Sequence, residues 1–342
     1  MAIRGRSLEG MEMKAIDNKF WKNKKVLITG FEGFLGSNLV KALLETKAKI
    51  IGMDIKTFRK ETILCPQDYR KIVVYKGSVT NRSLVRDILR KHSINIIFHL
   101  AAEAIVGRSH ANPLKAFKSN IAGTWEVLEA ARLQGNVHAI VVASSDKAYG
   151  SHKKLPYRED APLIANHPYD VSKSCADLIT NTYFHTYGLP VAITRCGNIY
   201  GPGDFNFSRL IPDAMRSIIF NKALKIRSDG TFVRDYVYVD DIVTGYIKIA
   251  ELMKKKSLSG EAFNLSDEKP IAVIKLLRGI GKFNLCENEL KYKIMNTAKY
   301  EIKRQYLSAA KARRLLGWKP GYSLEEGLTK TAEWYAGYFN KQ

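Results

Sequence analysis

Apolar and polar positions change rhythm partway along this chain of 342 residues. From residue 25 to about residue 150, short unbroken apolar runs alternate with segments of helical periodicity. Val26-Leu27-Ile28 is the first such run, and residues 37–46 carry apolar side chains at helical spacing. The strand pattern returns at 49–53, 72–75, 95–100 and 139–143, with helices predicted over 83–92 and 116–133. Unbroken apolar runs suit strands covered on both faces, and their alternation with helices predicts an α/β fold with a doubly wound parallel sheet. After about residue 186 the pattern loosens. The turn cluster Gly201-Pro202-Gly203 precedes a helix near 210–220, strands at 224–226 and 236–239, and a helix over 241–252. These elements predict a smaller mixed α/β lobe, interleaved in sequence with the first. The expected division is an N-terminal extension over 1–23, a first lobe over 24–186 with a return segment at about 232–252, and a second lobe over 187–231 and 253–342. Residues 1–10 read as a leader unrelated to the fold, with Met11 or Met13 as the natural start.

Composition narrows the class. A hydrophobic content of 46% and a charged content of 26% are ordinary for a globular protein. No apolar run reaches the length of a membrane span, and the start lacks the apolar core of a signal peptide. Cys65, Cys175, Cys196 and Cys286 form no C-x-x-C pair, so reduced thiols in the cytoplasm are expected. The histidines show no ligand spacing, and no metal is expected. The net charge of +22 is less ordinary and favours anionic partners. Its lysines and arginines are spread along the whole chain rather than gathered in a patch. Phosphorylated small molecules therefore fit better than nucleic acid, and no membrane partner is indicated.

Three short segments carry chemistry. Thr29-Gly30-x-x-Gly33-x-x-Gly36 lies between a predicted strand and a predicted helix. There the first glycine permits a tight turn, the second lets backbone approach a pyrophosphate, and the third lets helix and strand pack closely. Asp54 ends the next strand, 24 residues after Gly30, where a carboxylate meets adenosine ribose hydroxyls. That charge favours NAD, and Lys56 and Arg59 nearby leave NADP open. Tyr169 and Lys173 stand four residues apart, on one face of a helix. An ammonium beside a phenol lowers its pKa, so that the phenolate takes a hydroxyl proton as hydride leaves carbon. Ser145, Asp146 and Lys147 follow the fifth strand and offer a hydroxyl, an acid and a base in succession.

With His99-Leu100-Ala101-Ala102, Asn120-x-x-Gly123-Thr124 and Leu316-Gly317-Trp318 in the same order, the chain resembles the extended short-chain dehydrogenase/reductase family, in its NAD-dependent epimerase/dehydratase branch. The resemblance runs from residue 24 to the C-terminus. It implies a Rossmann lobe holding NAD at Gly30, Gly33, Phe34, Leu35, Gly36, Asp54, Leu100, Ala101, Ala102, Tyr169 and Lys173. It also implies a lobe for a nucleotide-diphosphate sugar, and a homodimer built from the helices over 116–133 and 169–186. In such enzymes Ser145 would position the sugar hydroxyl, Tyr169 would be the redox acid/base, and Lys173 would support the tyrosine and the nicotinamide ribose. Asn120 would be a structural or relay residue. Ser109, Asn198, Arg209 and Arg234 would contact substrate, Arg234 through the diphosphate. His99 is expected to pack rather than titrate.

The Ser145-Asp146-Lys147 trio resembles CDP-glucose 4,6-dehydratase or the inverting UDP-N-acetylglucosamine 4,6-dehydratases. The 22 residues from Lys147 to Tyr169, with Phe20-Trp21, Arg108-Ser109, Gly197-Asn198 and Arg209-Leu210-Ile211-Pro212, favour the former. Oxidation at C4 of the hexose acidifies the C5 proton. Lys147, held neutral, would remove that proton, and Asp146, held protonated by burial, would donate to the departing C6 hydroxyl. The expected activity is therefore a carbon–oxygen lyase forming a 4-keto-6-deoxy sugar nucleotide. Ala148-Tyr149-Gly150 and Tyr200-Gly201-Pro202-Gly203 follow the general epimerase/dehydratase pattern, Ser78 stands where an adenine-contacting aspartate is common, and the nucleotide base is left open. A 4-epimerase, with Asp146 and Lys147 as spectators, is the alternative. A non-catalytic dinucleotide- or RNA-binding relative is the remote one.

Overall fold

The computed structural model describes residues 16–283, 288–298 and 301–340. The leader expected at 1–10 and Cys286 lie outside them. In chain order the strands are β1 (Lys25–Thr29), β2 (Lys49–Asp54), β3 (Ile72–Lys76), β4 (Ile96–His99), β5 (Ala139–Ala143), β6 (Val191–Cys196), β7 (Asn198–Tyr200), β8 (Leu224–Ile226), β9 (Val233–Arg234), β10 (Tyr236–Tyr238), β11 (Ala262–Leu265), β12 (Ile271–Ala272), β13 (Tyr292–Ile294) and β14 (Arg304–Gln305). Seven of them form one sheet in the order β3-β2-β1-β4-β5-β6-β11, every pairing parallel. Strand order reverses between β1 and β4, and the crevice at that switch point is where open α/β sheets bind ligands.

Alternation of side chains across the pleat explains why these runs are apolar throughout. Val26, Ile28, Ile96, Phe98 and Val141 point to one face, against the helices Phe34–Leu44 and Val239–Leu252. Leu27, Ile97, Ile140 and Val142 point to the other, against Arg82–His92 and Gly123–Gln134. A third cluster gathers Tyr200, Ile211, Met215, Tyr238, Leu277 and Tyr335 from the smaller β-ribbons and the helices Leu210–Ile219, Val273–Ile280 and Leu324–Phe339. No helix among the described residues is long and apolar enough to cross a membrane.

Several expectations shift. β6 and β11 belong to the seven-stranded sheet although both fall in segments assigned to the second lobe, so the boundary expected at 186 is not the sheet's edge. Trp21, assigned to an extension, is buried in the main core, stacks on Phe98 and donates to Glu251 at 2.6 Å. The helix predicted over 116–133 is interrupted by a π-turn, Lys118–Ala122, that carries Asn120.

Candidate active site

At the β1–helix junction Gly30 has φ +72° and Gly36 begins close packing of helix on strand. A Cβ on Gly36 would lie 2.2 Å from the Gly30 carbonyl oxygen, and one on Gly30 would lie 2.9 Å from Ala101 Cα. The Leu100-Ala101-Ala102 segment thus lies directly against the glycine turn. Thr29 Oγ1 ties the two together, accepting from the Leu100 and Ala101 amides at 3.2 Å each. Gly33 caps the helix Phe34–Leu44, whose first turn holds Phe34 and Leu35 and leaves its N-terminus facing the turn. Asp54, at the end of β2, is buried; its Oδ1 accepts from the Lys56 amide at 3.3 Å and pairs with the Arg59 guanidinium. Glu32, inside the glycine motif, fixes that loop by accepting from the Phe58 and Arg59 amides at 2.6 and 2.8 Å.

His99 bridges two threonines. The Thr124 hydroxyl donates to the Asn120 carbonyl at 2.7 Å, so His99 Nε2–H must donate to Thr124 Oγ1, leaving Nδ1 to accept from Thr29 at 2.8 Å. Burial and the charge of Lys173 push the imidazole down to about 3. It is a neutral, structural histidine. The π-turn aims Asn120 at the Glu103 backbone, from N–H at 2.7 Å and to C=O at 3.2 Å, and at the Ser172 hydroxyl at 2.9 Å.

The helix Pro168–Tyr187 starts with proline at its first turn and presents Tyr169 and Lys173 on one buried face. Ser145 caps the 3₁₀ turn Asp146–Tyr149, with its Oγ accepting from the Lys147 amide at 3.2 Å and donating to Asp146 Oδ1 at 3.0 Å. The nearby Ser145 hydroxyl favours the Tyr169 phenolate. Burial raises that phenol to about 12, whereas the sequence pattern predicts a lowered value. The reason is where the lysine points: Lys173 Nζ donates to the Ala143 carbonyl at 2.7 Å, and burial brings the ammonium itself down to about 8. Burial also raises the Asp146 carboxyl above its ordinary range, against the opposing pull of Lys147, Ser145 and Arg234.

Ser145, Asp146, Lys147, Tyr169, Asn198, Arg209 and Arg234 all line one cleft of about 840 Å³. Arg209 precedes the helix Leu210–Ile219, donates to Asp204 at 3.0 Å and lies over the Phe34 ring, joining the cleft to the glycine-turn helix. Arg234 is held by the carbonyls of Val233 at 2.8 Å, Lys303 at 3.1 Å and Ile302. Ser109 is the exception. It is fully buried, and the cleft wall is formed by its neighbours Arg108 and His110, because the helix Val106–Ala111 turns Ser109 inward.

Three groups in or beside the cleft went unread in the sequence. Asp170, between the tyrosine and the lysine, lines the cleft with Oδ1 unpartnered among the described residues, and burial raises it to about 6. Asp235, next to Arg234, is raised by burial to about 7. Gln305 accepts from Lys147 Nζ at 3.3 Å. A carboxylate inside the Tyr-x-x-x-Lys motif was a visible signal for Asp170; nothing local marks Gln305. Among the described residues no cluster of His, Cys, Asp or Glu could hold a metal.

A family model described as GDP-mannose 4,6 dehydratase matches residues 27–331. A UDP-glucuronate 4-epimerase of Thermodesulfobacterium geofontis is 33% identical over 325 residues, covering 90% of this chain and 95% of the relative. A CDP-glucose 4,6-dehydratase of Salmonella typhimurium is 28% identical over 346 residues, covering 94% of this chain and 93% of the relative. An Arabidopsis thaliana trifunctional UDP-glucose 4,6-dehydratase, epimerase and reductase is 29% identical over 94% of this chain; the chain spans only 48% of that protein's length. Among solved structures, an epimerase of Methanothermobacter thermautotrophicus superposes with a TM-score of 0.86 at 30% identity, with 95% of each chain covered. A dTDP-glucose 4,6-dehydratase of Bacillus anthracis in complex with NAD gives 0.80 at 29%, covering 92% of this chain and 97% of that one. The glycine turn packed closely against the helix N-terminus at Gly36, and the buried carboxylate of Asp54, fit NAD, the cofactor of this family and the one bound in the Bacillus anthracis structure. The chain belongs to the GDP-mannose 4,6 dehydratase family, in the NAD-dependent epimerase/dehydratase branch of the extended short-chain dehydrogenases/reductases.

Proposed function

We propose that the protein is a nucleotide-diphosphate-hexose 4,6-dehydratase of the CDP-glucose type. One observation carries the reading. Asp146 and Lys147 line the same cleft as Ser145 and Tyr169, with the Asp146 carboxyl buried and biased toward its protonated form. An epimerase needs the Ser145–Tyr169 pair alone, whereas elimination of water needs an additional acid and an additional base.

Gly30, Gly33, Gly36 and Asp54 would hold NAD, which supplies hydride acceptance from C4 and hydride return to C6. To take the C4 hydroxyl proton Tyr169 must be a phenolate, so the positive charges of bound NAD and of Lys173 would have to lower a phenol that burial raises to about 12. The resulting ketone acidifies C5–H, and Lys147 removes that proton. Asp146 gives its proton to the leaving C6 hydroxyl, which departs as water. Lys147 then returns a proton to C5 as C6 becomes a methyl group. Arg234, Arg209 and Asn198 would seat the nucleotide diphosphate, where arginine's fork matches phosphate oxygens. The CDP assignment is supported by the Ser145-Asp146-Lys147 trio and by the Salmonella relative.

Two identical chains would associate through the helices Gly123–Gln134 and Pro168–Tyr187, whose outer faces leave Trp125, Leu133, Leu178 and Tyr187 exposed. A 4-epimerase is the second reading, favoured by the epimerases among the relatives. Lys147→Ala separates the two. A dehydratase variant keeps C4 oxidation, seen as reduced-cofactor absorbance, and loses water elimination. Turnover to the C4 epimer that survives the substitution would overturn the dehydratase reading.

A further inference from the structure

Gln305 is wholly buried on β14 and does not line the cleft, yet its amide oxygen accepts from the Nζ of Lys147, which does. In that contact the amide oxygen faces Lys147 and Nε2 points away. That Nε2 is buried with no hydrogen-bond partner among the described residues. A buried amide with half its hydrogen-bonding capacity unused is a liability for stability, and a leucine of similar shape would avoid it.

The strand carrying Gln305 does a second job. β14 runs parallel to β9, with Gln305 in register with Arg234 and Arg304 with Val233. The residues leading into β14, Ile302 and Lys303, hold the Arg234 guanidinium by their carbonyls. On the other side, the Leu307 amide donates to Asp235 at 3.2 Å, and the Tyr157 amide donates to the Tyr306 carbonyl at 3.0 Å, which ties the segment to the chain that follows the Asp146–Tyr149 turn. One stretch of six residues thus touches the arginine at the diphosphate end of the cleft and the lysine at its sugar end.

We propose that Gln305 is a positioning residue for elimination: by accepting one N–H it holds the Lys147 amine at the cleft wall with the nitrogen lone pair free for C5–H, and its register with Arg234 couples seating of the substrate diphosphate to placement of that base. The inference rests on the dehydratase reading. Gln305 reaches no substrate atom, so its loss disturbs the C5 proton step and leaves C4 oxidation by Ser145 and Tyr169 intact.

The test compares wild type, Gln305→Leu and Gln305→Glu as full-length proteins loaded with NAD, turning over a CDP-hexose in deuterated water. Reduced-cofactor absorbance reports C4 oxidation, mass spectrometry reports water loss and C5 deuterium, and thermal unfolding reports integrity. Q305L is expected to unfold no earlier than wild type and to hold KM and C4 oxidation. Its water loss should fall about tenfold, the upper end of what one lost hydrogen bond is worth. Q305E, which sets a carboxylate against Lys147 and favours its protonated form, is expected to move the pH limb of water loss upward and to leave C4 oxidation unchanged. Unimpaired water loss in Q305L overturns the inference alone. So does equal loss of oxidation and elimination in both variants, which marks Gln305 as merely structural. A wild-type protein that oxidises C4 without losing water overturns the dehydratase reading and this inference with it.

Discussion

Replacing Gly36 by alanine probes the cofactor cradle where the geometry is least forgiving. The added Cβ would sit 2.2 Å from the Gly30 carbonyl oxygen, 2.8 Å from Phe31 Cα and 3.0 Å from the Gly30 carbonyl carbon. All three are backbone atoms, so no rotamer change relieves the overlap. A carbon–oxygen contact settles at about 3.3 Å or more, so the helix Phe34–Leu44 must withdraw from β1 by about 1 Å. Overpacking of this kind costs about 3 kcal/mol, the upper end of the usual range because only backbone can move. The unfolding temperature should drop by about 5 °C. The same withdrawal moves the helix N-terminus away from the pyrophosphate, and a displacement of about 1 Å at a binding group weakens function about a hundredfold. NAD affinity by calorimetry and thermal unfolding without cofactor measure the two effects separately. Gly337→Ala is the control: nothing lies within 4 Å of its Cβ, and a helical glycine replaced by alanine gains about 0.5–1 kcal/mol. A G36A protein with unchanged NAD affinity and unchanged unfolding temperature would refute the reasoning, because the cradle would then not depend on the missing Cβ.

Lys173→Met should slow C4 oxidation about a hundredfold or more, by stopped-flow reduced-cofactor absorbance, if the lysine supports Tyr169. The Lys173 ammonium titrates at about 8, so wild-type oxidation should fall as pH rises through that value; Lys173→Arg should move the limb upward, and an unmoved limb would assign it elsewhere. Asp235, raised from 3.8 to about 7, holds a proton in the folded protein that the unfolded chain releases. Its contribution to stability is present below about pH 4 and lost as pH rises through about 7, at about 1.4 kcal/mol for each pH unit crossed between the two. Asp235→Asn should therefore gain stability over wild type across that window, measured by denaturant titration, and parallel curves would contradict the assignment. Leu178→Glu places a charge on an outer face that is 58% exposed, and sedimentation should show a dimer reduced to monomer; a wild-type monomer would remove the proposed interface.

The first five strands and the glycine turn were legible because buried parallel strands must be apolar on both faces, as in Val26-Leu27-Ile28. The second lobe was harder to read for a physical reason. Its strands outside the main sheet are two or three residues long, and their partners are distant in sequence: Arg304 pairs with Val233 and Tyr292 with Leu224. Segments that short carry too few alternations to show a period. The placement of Ser145, Asp146, Lys147, Tyr169 and Arg234 around one cleft followed from motif order, whereas Ser109 did not, since one turn of helix decides whether a hydroxyl faces the cleft or the interior. The Tyr169–Lys173 spacing placed both groups on one face but could not show that Lys173 reaches the Ala143 carbonyl. Glu32 and Gln305 act through partners that only the tertiary fold brings near, and the burial that raises Asp170 likewise comes from the fold.

Incubation of the NAD-loaded protein with CDP-, UDP-, dTDP- and GDP-hexoses in deuterated water, followed by product mass spectrometry, tests elimination most directly. The expected product, strongest with the CDP sugar, has lost one water and carries deuterium at C5. A product of unchanged composition, resolved by chromatography as the C4 epimer, would contradict the dehydratase assignment and leave Asp146 and Lys147 as a structural pair.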